Sequence, residues 1–170
     1  YLAYNQHALV EDMAERQARV LADSYFDNIN TLMLTGGMAR HEIPRNTILA
    51  RPEVIDARIL RAEPVARRFG AGPGHAAPRD DLDRRALQGE KIHLIGEGEN
   101  GRVLTIIEPL PASRDFRGTD CIGCHEAAVG DVLGAVRVDY SLQALDAALS
   151  RDLWINIGIN SALMIAGTLR

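Results

Sequence analysis

Lys91-Ile92-His93-Leu94-Ile95 and Arg102-Val103-Leu104-Thr105-Ile106-Ile107 flank the segment Gly96-Glu97-Gly98-Glu99-Asn100-Gly101. Two β-branched runs around an Asn-Gly step read as an antiparallel hairpin. Pro109-Leu110-Pro111 ends its second strand. Outward from the hairpin, Val132 to Tyr140 reads as a further strand, and Val54 to Arg61 alternates with a strand's period after Ile55. Three or more strands with hairpin connectivity place the chain in the α+β class, an antiparallel sheet with helices set to one side.

The helices follow from a different period. Residues 1–34 read as one long N-terminal helix. Leu9, Met13, Val20, Leu21, Tyr25, Ile29, Leu32 and Met33 form its apolar stripe, and Gly36-Gly37 mark its end. Arg40 to Ala50 reads as a short second helix, with Pro44 starting or bending it and Pro52 beyond it. Residues 70–80 are a Gly- and Pro-dense loop. That loop is no phosphate loop, since it has no strand–Gly loop–helix setting and no following Lys-Ser/Thr. Asp81 to Gln88 gives one or two helical turns. Ser141 caps a last helix striped by Leu142, Leu145, Ala148, Leu149 and Leu153.

The 170 residues contain two cysteines, and both lie in Cys121-Ile122-Gly123-Cys124-His125, in a loop before the last strand. C-x-x-C-H is the attachment signature of c-type haem. Two thiols on one turn reach the two vinyl groups of the porphyrin, and the adjacent histidine falls under the iron. C-x-x-C alone also serves as a thioredoxin-type redox pair or as half of a zinc site. The first expects a βαβ setting and the second another ligand pair. Neither surrounds these residues, and His7, His41, His75 and His93 are scattered.

Bulk properties narrow the partners. The formal net charge is -4 with both signs interspersed, which argues against a nucleic-acid partner. With both cysteines in one motif, none is left for a structural disulfide. Residues 153–169 carry no charge, and Trp154 stands at their start. They read as the beginning of a membrane span, with Asn156 and Asn160 on one face suited to helix contact. Tyr1 and Tyr4 sit where a membrane boundary would place them. The expected division is therefore 1–34 as a long helix after a first span, 35–140 as the core, 141–152 as an exit helix and 153–170 as the start of a second span.

Met33-Leu34-Thr35-Gly36, Asp56 to Arg61, Phe69-Gly70, Asp83 to Glu90, Val103 to Pro109, Cys121 to His125 and Leu133 to Ser141 occur in an order that resembles one family. It is that of the periplasmic haem-c sensor domains of bacterial transmembrane receptors, above all methyl-accepting chemotaxis proteins. The resemblance implies a PAS-like or Cache-like antiparallel sheet with a long N-terminal helix, a covalent haem c, and a homodimer. It implies the periplasmic domain of an inner-membrane protein that senses NO, CO, O2 or redox state. It also implies methionine or water as the sixth iron ligand. Met38, after two glycines, is the first candidate here, Met33 the second and His41 a third. Pro44 stands where the family pattern would continue a helix. Arg58, Arg61, Arg102 and Arg114 are candidates for haem propionates, and Phe69, Phe116 and Tyr140 for packing on the ring.

The expected function is signal sensing without substrate turnover. A membrane-tethered monohaem cytochrome that exchanges electrons with a redox partner is the alternative. A haem peroxidase would need a distal His-Arg pair, which the sequence does not offer.

Overall fold

The computed structural model describes residues 2–168. Tyr1 and the side chains of Tyr4, Asn156 and Asn160 lie outside the described residues. The elements in order are α1 (Leu2–Leu34), a 3-10 turn (Met38–Arg40), α2 (Glu42–Leu49), β1 (Val54–Arg61) and α3 (Glu63–Phe69). A second 3-10 turn (Gly74–Ala76), α4 (Asp81–Leu87), β2 (Ile92–Gly98) and β3 (Gly101–Pro111) follow. The chain ends with α5 (Cys121–His125), β4 (Val132–Ser141) and α6 (Gln143–Thr168).

Four antiparallel strands pair in the order β1-β4-β3-β2. The hairpin forms as expected, with Glu99 and Asn100 as its two-residue connection and Gly98 opposite Gly101. Gly101 itself takes φ +108, open to glycine at little cost.

β4 is hydrogen-bonded on both edges and buried along nearly its whole length. Its side chains alternate between faces. Val136, Val138 and Tyr140 join Leu104 and Ile106 of β3 in a core under α1. Ala135 joins Leu60, Ile107 and Ala86 in a smaller core under α4. Helices therefore cover both faces of the sheet, which corrects the expectation that they lie on one side.

Arg137 and Asp139, on the α4 face of β4, sit in a buried charge network. Arg137 Nε lies 3.0 Å from Asp139 Oδ2, and its Nη1 lies 2.6 Å from Asp80 and 2.8 Å from Asp83. Arg58 Nη2 reaches Asp83 at 3.0 Å, and Thr105 Oγ1 donates to Asp139 at 2.7 Å. Burial alone would push the Asp83 carboxyl up. The Arg79 N–H, Arg137 and Arg58 outweigh it and hold the carboxyl below the usual range.

α1 seats on the sheet through Ala14, Ala18, Leu21, Ala22, Tyr25, Phe26 and Ile29. The small alanines at i, i+4, i+8 let its backbone approach the strands. Leu9, Met13, Val20 and Met33, expected on the buried stripe, are exposed instead. Leu21, Tyr25 and Ile29 of that stripe are buried as expected, and Ala14, Ala18 and Ala22 complete the inward face.

Further corrections concern short elements. Pro44 stands in the first turn of α2, where no intrahelical N–H is lost, so it starts the helix and does not bend it. α3 has no counterpart in the sequence reading. Pro64 near its start, Glu63 in its first turn and Gly70 past its end (φ 82) are the signals that mark it. The Cys121–His125 stretch, expected in a loop, is a helical turn.

Ser141 closes β4, and its Oγ accepts from the Gln143 N–H at 3.2 Å at the start of α6. Leu142, just before α6, and Leu145 and Leu149 within it face inward, while Trp154, Ile155, Ile157, Ile159 and Met164 are exposed. Helical spacing spreads those five over more than one face of α6. Among the described residues no helix is long and apolar enough to cross a membrane.

Arg102 of β3 ties the two long helices together. It meets Asp146 of α6 at 3.0 and 2.6 Å and Glu11 of α1 at 2.5 Å. These carboxylates, Asp146 first, hold the guanidinium above its ordinary value.

Candidate functional site

The Cys121–His125 turn begins at Asp120, whose carboxylate accepts from the N–H groups of Ile122 (3.0 Å) and Gly123 (3.3 Å). This is an N-cap of ordinary chemistry on a helix too short to persist alone. The Cys121 N–H donates to Ser113 O at 2.9 Å, closing the preceding loop. At the far end Glu126 stops the helix in the left-handed conformation, φ 52, with its N–H on Ile122 O at 3.0 Å.

The preceding loop is built around a tight turn. Phe116 and Thr119 exchange backbone hydrogen bonds of 2.9 and 3.1 Å across Arg117 (φ 53) and Gly118 (φ 80). Positive φ at both central residues is the geometry of a two-residue hairpin turn. Arg117 and Glu126 are the two non-glycine residues with positive φ among the described residues, and they flank the motif on either side. Each such residue costs about 1–2 kcal/mol. Each is held by ion pairs, Arg117 with Asp23 and Asp27 at 2.7 Å and Glu126 with Arg68.

Three contacts fasten this loop to α1. Besides the Arg117 pairs, Asn30 Nδ2 donates to Thr119 Oγ1 at 2.8 Å, and Phe116 stands edge-on to Phe26 at 5.5 Å. On its other side the motif leans on α3. The His125 and Phe69 rings are 5.4 Å apart at 79°, and Arg68 lies over Phe69.

Within the turn both thiols are free. Cys121 is half-buried and Cys124 is exposed. Burial pushes the Cys121 thiol up, the opposite of what a reactive redox cysteine needs. His125 Nδ1 is buried with no hydrogen-bond partner. Burial first, then the Arg68 charge, lowers the affinity of His125 for a proton, leaving a neutral imidazole with a lone pair. Gly123 has an ordinary helical backbone, and a Cβ there would meet only the Asp120 carboxylate, at 3.6 Å. Nothing inside the chain explains a glycine that costs a helix about 1 kcal/mol.

These features fit a group attached from outside the chain's own packing. They comprise two thiols one helical turn apart, a neutral histidine with an orphaned buried nitrogen, and a backbone kept bare between them. The residues that would hold a haem c are Cys121, Cys124 and His125.

The sixth-ligand candidates lie at the end of α1 and in the connection that follows it. Met38 packs against the core under α1, Met33 is exposed, and His41 lies in the α1–α2 connection. Among the described residues α3 is the only element in extensive contact with the motif helix.

The arginines sort themselves as well. Arg58 and Arg102 belong to the ion-pair sets described above, and Arg61 Nη1 donates to the carbonyls of Phe69 and Gly70. Arg114 is 75% exposed and stands 3.9 Å from Asp120, so it is the one of the four that remains beside the motif. Arg68 was not singled out in the sequence because α3 was not. Of the aromatic candidates, Phe69 reaches His125, Phe116 packs on α1, and Tyr140 is core.

Two clefts lie apart from the motif. One of about 340 Å³ runs between α1 and the end of β3, lined by Arg19, Phe26, Glu108, Leu110, Phe116 and Arg117. A second, about 370 Å³, is an open groove along Val20 to Thr31 of α1. Comparison with models of known protein families and with curated proteins finds no match to this chain.

Proposed function

We propose that this chain is the extracytoplasmic sensor domain of a transmembrane receptor of the chemotaxis type. It would carry a covalent haem c on Cys121 and Cys124 with His125 as the proximal iron ligand. The observation that carries the reading is the Cys121–His125 turn with the orphaned Nδ1 of His125. When bound, haem supplies an iron whose sixth position takes a diatomic gas or follows the ambient redox potential.

The chain's own residues supply the route outward. Residues 113–125 are tied to α1 by Asn30, Phe26 and the Asp23–Asp27 pair. After the motif the chain enters β4 and then α6. Arg102 links α1 and α6, so a displacement of the loop reaches both helices that would lead to a membrane. The exposed apolar residues Trp154, Ile155, Ile157, Ile159 and Met164 of distal α6 support a helix that continues into lipid or against other helices. A homodimer through α1, which leaves Leu9, Met13 and Val20 uncovered, fits the same reading.

The test is purification after co-expression with a c-type maturation system, followed by mass measurement and absorption spectra of ferric and ferrous protein with and without CO and NO. We expect a haem-sized mass increment and a spectrum that changes with gas or with redox state, accompanied by a change in spacing between spin labels on α1 and α6. A covalent haem whose iron resists both gases, combined with fixed helix spacing in both redox states, would favour the tethered electron carrier. Absence of the mass increment would end the haem reading.

A further inference from the structure

His41, Glu42 and His75 come together on the surface away from the haem motif. His41 Nε2 lies 3.0 Å from Glu42 Oε1, and His75 Nδ1 lies 3.8 Å from the same oxygen. All three ligand atoms fall within 4.8 Å of one another. We propose that they form a binding site for one divalent transition-metal ion of the zinc class.

The tautomer of His41 is the central point. Its Nδ1 is 3.0 Å from the carbonyl of Met38. A carbonyl only accepts, so Nδ1 carries the hydrogen and the neutral ring presents a lone pair at Nε2. A backbone carbonyl on the far nitrogen is the usual support of a metal-bound histidine. That Nε2 is buried and has no hydrogen-bond partner, although Glu42 Oε1 stands 3.0 Å away. Two acceptor atoms at this distance require a shared positive centre, either a proton on Nε2 or a metal ion, and the convergence of a third donor favours the metal ion. His75 brings a third donor to the same place, its ring 6.2 Å from that of His41.

Four-coordinate zinc with bonds of about 2.0–2.2 Å spaces its ligand atoms roughly 3.4 Å apart. The observed separations bracket that value, so side-chain rotation closes the site. Two imidazoles and one carboxylate suit zinc and its first-row neighbours and suit magnesium poorly. Among the described residues Arg45 is the arginine that faces the cluster. It stands 4.0 Å from the other oxygen of Glu42, and its guanidinium is turned to Asp56 and to the Ala57 carbonyl. Oε1 is left for the ion.

The site would join distant parts of the chain. His41 and Glu42 lie where α1 turns into α2, and His75 lies in the 3-10 turn Gly74–Ala76 of the glycine-rich loop. A bound ion staples that loop to the start of α2 and keeps a fourth position for water or an outside donor.

The experiment uses the untagged chain in a Cys121→Ser/Cys124→Ser background, which removes the thiols as competing ligands and makes the result independent of the haem reading. Zinc chloride is titrated calorimetrically after chelator treatment, with magnesium chloride as control. We expect one zinc per chain and no magnesium. His41→Ala and His75→Ala each weaken zinc by at least tenfold, while His93→Ala leaves it unchanged. Zinc should also slow amide exchange in residues 70–80. Absence of zinc binding in the parent, or equal affinity in all four proteins, overturns the proposal. The cluster is then an imidazolium–carboxylate pair only.

Discussion

Replacing Asp83 with Asn tests the buried network beneath β4. Asp83 is fully buried and accepts from the Arg79 N–H (2.8 Å), Arg137 Nη1 (2.8 Å) and Arg58 Nη2 (3.0 Å). Asn is nearly isosteric, so packing is preserved. It removes a negative charge shared by two buried guanidiniums and turns an NH2 toward donors. Arg137 retains Asp80 and Asp139, and Arg58 retains Asp56 at 3.1 Å, so the loss is partial. Breaking one member of a buried ion-pair set costs about 3–5 kcal/mol. Against a typical domain stability of about 5–15 kcal/mol this is a large share. For a domain of this size it lowers Tm by roughly 10 °C. The assay is urea unfolding followed by circular dichroism, with Asp81→Asn as control. The Asp81 side chain is 74% exposed, and its substitution should change stability by less than about 0.5 kcal/mol. A loss below about 1 kcal/mol for Asp83→Asn would refute the claim that the network is a stabilising frame.

Gly134→Ala places a Cβ 2.3 Å from the Leu60 carbonyl oxygen, so β1 must move off β4. The expected loss is about 1–3 kcal/mol or more, and an unchanged urea midpoint would contradict it. Arg102→Ala removes part-exposed pairs worth about 1 kcal/mol or less each. Global stability should change little while amide exchange accelerates at the start of α6, and unchanged exchange there would argue against the clamp. Asp80 and Asp83 bind protons less readily folded than unfolded, Asp80 against its own burial through the Asp83 N–H and then Arg137. Their stabilisation is complete above about pH 4, where unfolded aspartate titrates, and disappears as pH falls through the folded values. Thermal unfolding between neutral and acid pH reads this, and Asp83→Asn should flatten the acid slope. Replacing Cys121 and Cys124 with Ser should abolish covalent haem while leaving the apo-domain's stability within about 0.5 kcal/mol, because neither thiol is in the core.

Much of the sheet was legible because its signals are local. The hairpin announced itself through Asn100-Gly101, and β4 through the uncharged run Val132 to Val136 and the alternation that follows it. The burial of α1 was not legible in the same way. Leu21, Tyr25 and Ile29 of its expected stripe are buried, but Ala14, Ala18 and Ala22 share the inward face, and small residues carry no apolar signal strong enough to mark it. α3 escaped because it is short and begins at a proline usually read as a break. The Cys-x-x-Cys-His spacing was fully legible in residues 121–125, since it is contained in five consecutive residues. Its surroundings were not. The Phe69–His125 contact joins residues far apart in sequence, and the His41–Glu42–His75 cluster joins two loops whose histidines looked scattered.

The energetics of the loop before the motif say which neighbour yields. β4 is fixed on both edges by ladders to β1 and β3 and below by the Asp83 network, so moving it breaks many bonds at once. The loop's hold on α1 rests on one amide–hydroxyl bond, one aromatic edge contact and two exposed ion pairs. Exposed pairs are worth about 1 kcal/mol or less each, and an aromatic pair adds about 0.5–1.5 kcal/mol. Shifts of the loop relative to α1 therefore cost a few kcal/mol at most, within reach of ligand binding, whereas shifts relative to β4 do not. The sheet and the buried face of α1 together are the frame, and residues 113–125 are the element able to move against it.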